Sequence, residues 1–90
     1  MNTTRQTIKF GIGATVRDTF GHVGKVVDTT ERPIANRYEF ARGGRRSFAY
    51  GHLVRFSAAD NDSAHAATLA VATAESDEIW ISGYDLEALS

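Results

Sequence analysis

Cysteine is absent from this 90-residue chain, and proline, tryptophan and methionine occur once each. Without cysteine the chain forms no disulfide, has no thiolate nucleophile and cannot bind zinc through sulfur. The longest uncharged apolar stretch, residues 66–74, is far shorter than the ~20 residues of a membrane-spanning helix. The polar segment 1–9 lacks the apolar core of a secretory signal. We therefore expect a cytoplasmic protein with no membrane contact.

Lysine and arginine are absent from the last third of the chain. Residues 1–56 hold ten bases and four acids, a formal charge of +6, whereas residues 57–90 hold seven acids and no base, a charge of −7. This separation indicates either an electropositive surface for an anionic partner or two halves that attract each other. Charge-complementary halves also allow a homo-oligomer. The pI of about 6.3 is below the ~9 that is typical of dedicated nucleic-acid binders.

Length and glycine spacing predict the fold class. We expect a single domain over residues 1–90. Short β-rich runs between glycine turns predict an all-β fold, a small barrel of five to seven short strands. Residues 14–19 and 23–28 are predicted to be two strands joined by a turn at Phe20-Gly21. Residues 29–36 contain Pro33 and are predicted to be a connecting loop.

The clearest local pattern is a hairpin over residues 37–50. Gly43-Gly44 suits a two-residue turn that needs positive φ, and this register places Tyr38 opposite Ala49. One face then carries Arg37, Glu39, Ala41, Arg46, Phe48 and Tyr50. Arginine beside stackable rings is typical of surfaces that bind single-stranded nucleic acid. Alternatively, residues 64–82 cover Phe48 and Tyr50 and the arginines are only solvated.

Three arginines, Arg42, Arg45 and Arg46, share the predicted turn of this hairpin. Like charges at a hairpin tip repel each other unless an anion binds there, and guanidinium groups suit phosphate and carboxylate equally. A purely solubilising tip is the alternative.

Residues 64–74 allow two structures. Their alanines favour a helix, but the run has no helical stripe of large residues. Leu69, Val71 and Thr73 instead alternate with alanines, so we favour a hairpin between this run and a strand at Ile79–Ile81. Trp80 lies either outside, as an anchor for a partner, or in the core. Residues 85–89 are predicted to be a closing helical turn.

Residues 13–27, GATVRDTFGHVGKVV, resemble the KOW motif of SH3-like barrels: a glycine, an alternating strand, a second glycine and then Gly-x-Val entering the next strand. The end of the chain is also similar to such barrels, with a last strand and then a helical turn in which Leu86 and Leu89 plug the barrel. The resemblance implies a small SH3-like barrel that contacts nucleic acid or a partner protein.

The opening strand pair also resembles that of plasmid-encoded type II dihydrofolate reductases, which share the SH3-like fold. The active pore of that family depends on a Val-Gln-Ile-Tyr strand. The comparable segment here is Glu78-Ile79-Trp80-Ile81, which lacks the glutamine and tyrosine that would hold cofactor and substrate. The resemblance therefore implies a shared fold, which does not by itself carry a function.

The reactive side chains form no catalytic or metal-binding pattern. His22, His52 and His65 are not at ligand spacing, and no serine has a nucleophile context. We therefore predict no catalytic residue, metal or cofactor, and a non-enzymatic binding or adaptor module for a nucleic-acid backbone or an acidic protein surface. The alternatives are a phage- or plasmid-type inhibitor or adaptor that acts by protein–protein contact, and an oligomeric enzyme of the type II reductase kind. The predicted partner-binding residues are Arg37, Arg42, Arg45, Arg46, Phe48, Tyr50 and Trp80.

Overall fold

The computed structural model describes residues 5–6, 9–36, 43, 48–74 and 76–89. Within them lie six strands: β1 (Arg5–Gln6), β2 (Thr15–Asp18), β3 (Val23–Ala35), β4 (Phe48–Phe56), β5 (Glu78–Ser82) and β6 (Leu86–Ala88). The same residues contain one α-helix, α1 (Ser63–Ala72), and 3₁₀ turns at Ala58–Asp60 and Gly83–Asp85. The prediction of a small all-β fold of five to seven strands with a helical turn near the end of the chain is confirmed.

All six strands belong to one sheet. Antiparallel pairing joins β4 to β3, β3 to β2 and β2 to β6, while β1 (parallel) and β5 (antiparallel) pair with the other side of β4. β5 and β6 therefore lie at opposite edges, yet only Gly83–Asp85 separates them. Three residues span only about 10 Å of extended chain, so the sheet must curve strongly to bring its edges together.

The hairpin of β2 and β3 forms as predicted. Its turn needs Gly21, whose φ is +90°. Oδ1 of Asp18 accepts hydrogen bonds from the backbone N–H groups of Phe20 and His22, both at 2.9 Å. Asp18 therefore stabilises the turn by satisfying two of its backbone N–H groups.

The core lies on the concave side of the sheet. The buried residues of the core cluster on that side are Val16, Val26, Val54, Phe56, Leu69, Ile81 and Leu86. Ala49 is also buried but does not belong to this cluster. Phe10, Ala14 and Ile79 pack against the cluster from the margin. Of these residues only Leu69 comes from α1, so the helix closes one end of a core built mainly by strands.

The predicted loop over residues 29–36 is wrong, because β3 continues to Ala35. A register shift between Thr30 and Pro33 sets Pro33 opposite Tyr50. β2 pairs only with residues 23–25 of β3, so one edge of β3 near Pro33 is not paired among the described residues. A proline is tolerated at such an edge and bulge, because no ladder N–H is needed there.

The predicted register of the 37–50 hairpin is also wrong where the structure describes it. Ala49 lies opposite Ile34 rather than Tyr38, and Tyr50 lies opposite Pro33. The longer β3 is the reason, since it supplies partners that the sequence interpretation placed in a loop.

The predicted hairpin over residues 64–82 is wrong in its first half, since residues 63–72 form α1. Asp62 caps this helix by accepting a hydrogen bond from the N–H of His65 at 2.8 Å. The pKa of Asp62 is lowered mainly by this backbone hydrogen bond, and a second hydrogen bond, from the His65 ring, lowers it further. The helix has no stripe of large apolar residues, because Leu69 is the main side chain that it buries against the sheet. Among the described residues no helix has the length and apolar character to cross a membrane.

The closing helical turn lies earlier than predicted, at Gly83–Asp85 rather than 85–89. Leu86, which is predicted in that turn, follows it in β6, where it is buried. Leu89 is 41% exposed and does not plug the core.

Candidate functional site

The four arginines predicted to bind a partner, Arg37, Arg42, Arg45 and Arg46, lie outside the described residues. Their place in the chain is nevertheless constrained, because they belong to the connection between Ala35 and Phe48. Those two residues are paired at the end of the β3–β4 ladder. Gly43, within the connection, is at a turn and has a φ of +82°.

The charge of this connection is strongly positive. Residues 36–47 contain the four arginines and one acid, Glu39, a formal charge of +3. The connection therefore carries half of the excess positive charge of the first 56 residues.

Phe48 and Tyr50 occupy the face of β4 that also carries His52 and the core residue Val54, because side chains alternate along a strand. We call this the inner face. Both aromatic residues are half-buried. The Nζ of Lys9 lies 5.5 Å from the centroid of the Tyr50 ring, a cation–π distance. Lys9 thus covers part of Tyr50, a contact that the sequence interpretation did not anticipate.

Trp80 lies on the opposite, outer face of the sheet. It pairs with Leu53 of β4, and its two neighbours Ile79 and Ile81 face the core. Of the two readings of this strand, the exposed tryptophan is the correct one, since 40% of its surface is accessible. The structure therefore does not bring Trp80 together with Phe48 and Tyr50 on one surface.

The outer face also carries ion pairs that join the basic and acidic parts of the chain. Arg55 of β4 pairs with Glu78 of β5 through its Nε at 2.8 Å and through Nη2. Arg17 of β2 pairs with Glu87 of β6 at 3.2 Å. Both pairs match a base before residue 57 with an acid after it. The attraction between halves, one of the two sequence interpretations, accounts for part of the charge separation.

A chain of polar side chains, of which only His22 is buried, joins the β2–β3 turn to α1. His22 Nδ1 lies 3.2 Å from Oδ2 of Asp18, and Nε2 lies 2.8 Å from Oγ1 of Thr68. The Thr68 hydroxyl donates its single proton to the carbonyl of His65 at 3.0 Å. Thr68 therefore accepts from His22. An acceptor hydroxyl that is engaged in this way is not arranged as a nucleophile, and the contact instead holds the helix against the sheet.

A second polar tie comes from Asn61, which precedes α1. Its Oδ1 accepts from the N–H of Val23 at 2.8 Å, and its Nδ2 donates to the carbonyls of Val23 and Ser57 at 3.1 and 2.7 Å. Sequence reasoning missed both this residue and His22. The Asp62 cap before an alanine run was the available signal that a helix starts here.

A shallow groove of about 530 Å³ lies beside these ties. The groove is lined by Arg17, Gly21, Val23, Asp60, Asn61, Asp62 and His65. Its charge is mixed, with two carboxylates and one guanidinium, so it suits neither an anion nor a strongly basic ligand. Among the described residues, no group of three histidine, aspartate or glutamate side chains could hold a metal ion.

His52 is the most deeply buried polar side chain of β4, with no accessible surface. Burial lowers its pKa, the carbonyls of Tyr50 and Ile81 oppose that effect, and the charge of Lys9 adds to it. Nε2 accepts a hydrogen bond from the backbone N–H of Phe10 at 2.9 Å.

Comparison of the chain with protein-family models, curated proteins and solved structures finds no match.

Proposed function

We propose that this chain is a non-enzymatic binding module of SH3-like architecture that engages the phosphate backbone of a nucleic-acid strand through its 36–47 connection. The observation that carries the proposal is the concentration of four arginines in the link between two paired strand ends, Ala35 and Phe48. Guanidinium groups bind phosphate through paired, charge-assisted hydrogen bonds.

The described part of the sheet supports the proposal in two ways. The curved sheet, with a helical turn just before β6, is consistent with the resemblance of residues 13–27 to KOW-type barrels. Arg17 and Arg55 are already neutralised by acids of the same chain. Of the eight other bases of the chain, four are the arginines of this connection, which makes it the densest group of bases in the sequence.

Aromatic side chains supply the second element of a strand-binding surface. Phe48 and Tyr50 follow the connection directly and keep part of their surface accessible. Aromatic rings beside arginines stack on bases with little sequence preference. Trp80 on the outer face lies apart from them, and we assign it a secondary contact at most.

The test compares two triple variants with equal charge change. The first is Arg42→Ser/Arg45→Ser/Arg46→Ser, and the matched control is Arg17→Ser/Lys25→Ser/Arg55→Ser on the outer face. Binding of a fluorescein-labelled single-stranded oligonucleotide is measured by anisotropy between 50 and 300 mM salt. We expect the first variant to lose at least ~10-fold in affinity and to reduce the slope of log K against log salt by about 2, since each single-strand phosphate contact contributes ~0.7. The control should change affinity by less than ~3-fold.

Other outcomes redirect or refute the proposal. Equal losses in both variants would show that net charge alone drives binding, and the connection would lose its special role. If the wild-type chain does not bind the oligonucleotide in 50 mM salt, nucleic acid is excluded. The same variant pair assayed against a poly-glutamate column then tests the alternative partner, an acidic protein surface.

A further inference from the structure

Between β1 and β2, the described residues Lys9 and Phe10 contact β4 through two side chains of its inner face, and His52 is the one that contacts Phe10. Its ring centroid lies 5.3 Å from that of Phe10, and its Nε2 accepts the Phe10 backbone N–H at 2.9 Å. Next to this contact, Lys9 lies over the ring of Tyr50. Lys9 and Phe10 therefore lie across the inner face of β4, Lys9 over Tyr50 and Phe10 against His52.

The hydrogen bond from Phe10 determines which nitrogen of the His52 ring carries the proton. A ring nitrogen accepts a hydrogen bond only when it carries no proton, so Nε2 is bare and Nδ1 bears the proton. Nδ1 is buried and has no hydrogen-bond partner among the described residues. The carbonyls of Tyr50 and Ile81 favour the protonated ring, but burial, the largest effect, favours the neutral one.

The groups that face the ring come from three elements. The segment before β2 contributes the ammonium of Lys9, β4 contributes the carbonyl of Tyr50, and β5 contributes the carbonyl of Ile81. Thr29 of β3, directly opposite His52, is uncharged. The one charge that these elements bring to the ring is positive, so the neutral ring is favoured.

We propose that His52 is an acid-released latch, which holds Lys9 and Phe10 across the inner face of β4 while its ring is neutral and releases them when the ring is protonated. Protonation turns Nε2 from an acceptor into a donor, which then faces the Phe10 N–H, a second donor. The new positive charge also repels Lys9. Release uncovers the Tyr50 ring face that Lys9 occupies. This latch stands without the proposed function, because it requires no partner.

The experiment follows the Phe10 amide of the ¹⁵N-labelled full chain by hydrogen exchange between pH 8 and 4.5, together with the ring nitrogen shifts of His52. The internal reference is the amide of Val26, which donates to the carbonyl of Ala14 at 3.0 Å. We expect Phe10 to lose at least ~10-fold in protection as the ring becomes protonated, while Val26 keeps its protection.

Two variants sharpen the test. Lys9→Gln should move the loss of protection to higher pH, because the charge of Lys9 disfavours the protonated ring. His52→Gln should abolish the pH-dependent step, since an amide does not titrate in this range.

The latch is overturned if Phe10 stays protected while the ring shifts report protonation, or if the folded chain never protonates the ring above pH 4.5. It is equally overturned if Phe10 and Val26 lose protection together, since that would be global unfolding. If His52→Gln does not fold, wild type and Lys9→Gln still decide the question, and an unchanged midpoint in Lys9→Gln counts against the latch.

Discussion

At the scale of single residues, the packing of β2, β3 and β4 depends on a position without a side chain. Gly24 lies opposite Val16 of β2 and Phe56 of β4. A Cβ at this position would come within 2.6 Å of Val54 Cγ1 and 2.8 Å of the carbonyl oxygen of Arg55. One of these neighbours is backbone, so it cannot move aside by rotating a side chain.

Gly24→Val should therefore destabilise the fold by about 1–3 kcal/mol, the usual cost of overpacking a dense core. In a domain of this size each kcal/mol lowers the melting temperature by about 4–8 °C. Gly11→Val is the matched control, because a Cβ at Gly11 would have no atom within 4 Å. Thermal unfolding followed by circular dichroism checks both. Equal melting temperatures for Gly24→Val and wild type would show that the strands do not converge at this position.

At the scale of elements, α1 is attached to the sheet by few contacts. Leu69 is its buried apolar residue, whereas Val71 on the other side is 80% exposed. Polar ties supplement Leu69, namely the contact of Thr68 with His22 and the contacts of Asn61 with β3. A helix that buries so little surface owes its place to these anchors rather than to an amphipathic stripe.

Leu69→Ala should cost about 2–4 kcal/mol of unfolding free energy, since truncation of a buried leucine loses transfer energy and leaves a cavity. Val71→Ala removes apolar atoms from the same helix at an exposed position and should stay within about 0.5 kcal/mol of wild type. Urea unfolding measures both. Similar losses in the two variants would mean that the helix packs with a different face than the structure shows.

At the scale of the whole molecule, the charge separation has two parts. The acids of β5 and β6 pair with Arg55 and Arg17 across the outer face. The four arginines of residues 36–47 are a second concentration of positive charge, which only the sequence shows because they lie outside the described residues. Exposed ion pairs such as those of Arg17 and Arg55 contribute little each. Their main effect is to offset the positive charge of Arg17 and Arg55 on the sheet.

Glu78→Gln/Glu87→Gln should therefore lower stability by no more than about 1 kcal/mol per pair, and 1 M salt should remove the difference. Asp60→Asn/Asp77→Asn makes the same change in net charge without removing either ion pair. Urea unfolding at 0.05 and 1 M salt compares the two variants with wild type. A larger loss of stability in Asp60→Asn/Asp77→Asn would show that the attraction between the basic and acidic parts of the chain does not come from these two ion pairs.

The sequence by itself determined the fold class, the β2–β3 hairpin and the strand at Ile79–Ile81. These elements follow from alternation and from glycine at the Phe20-Gly21 turn, which are local properties of the chain. The separation of basic and acidic residues along the chain is also evident from the sequence alone. The same separation of charge predicts the arginines of residues 36–47 as a binding group, and their placement in the fold stays a prediction.

Only the tertiary structure decided the rest, because each remaining question depended on neighbours that are distant in sequence. Pro33 lies in a strand because β4 offers a partner on one side and none is required on the other. Residues 63–72 are helical because the Asp62 cap and the ties of Asn61 and Thr68 hold a helix that has no stripe of its own. His52 became a candidate latch only when the fold placed Phe10, 42 positions away, against its ring. A pattern along one strand cannot show what covers it, since burial is set by the element that packs against it.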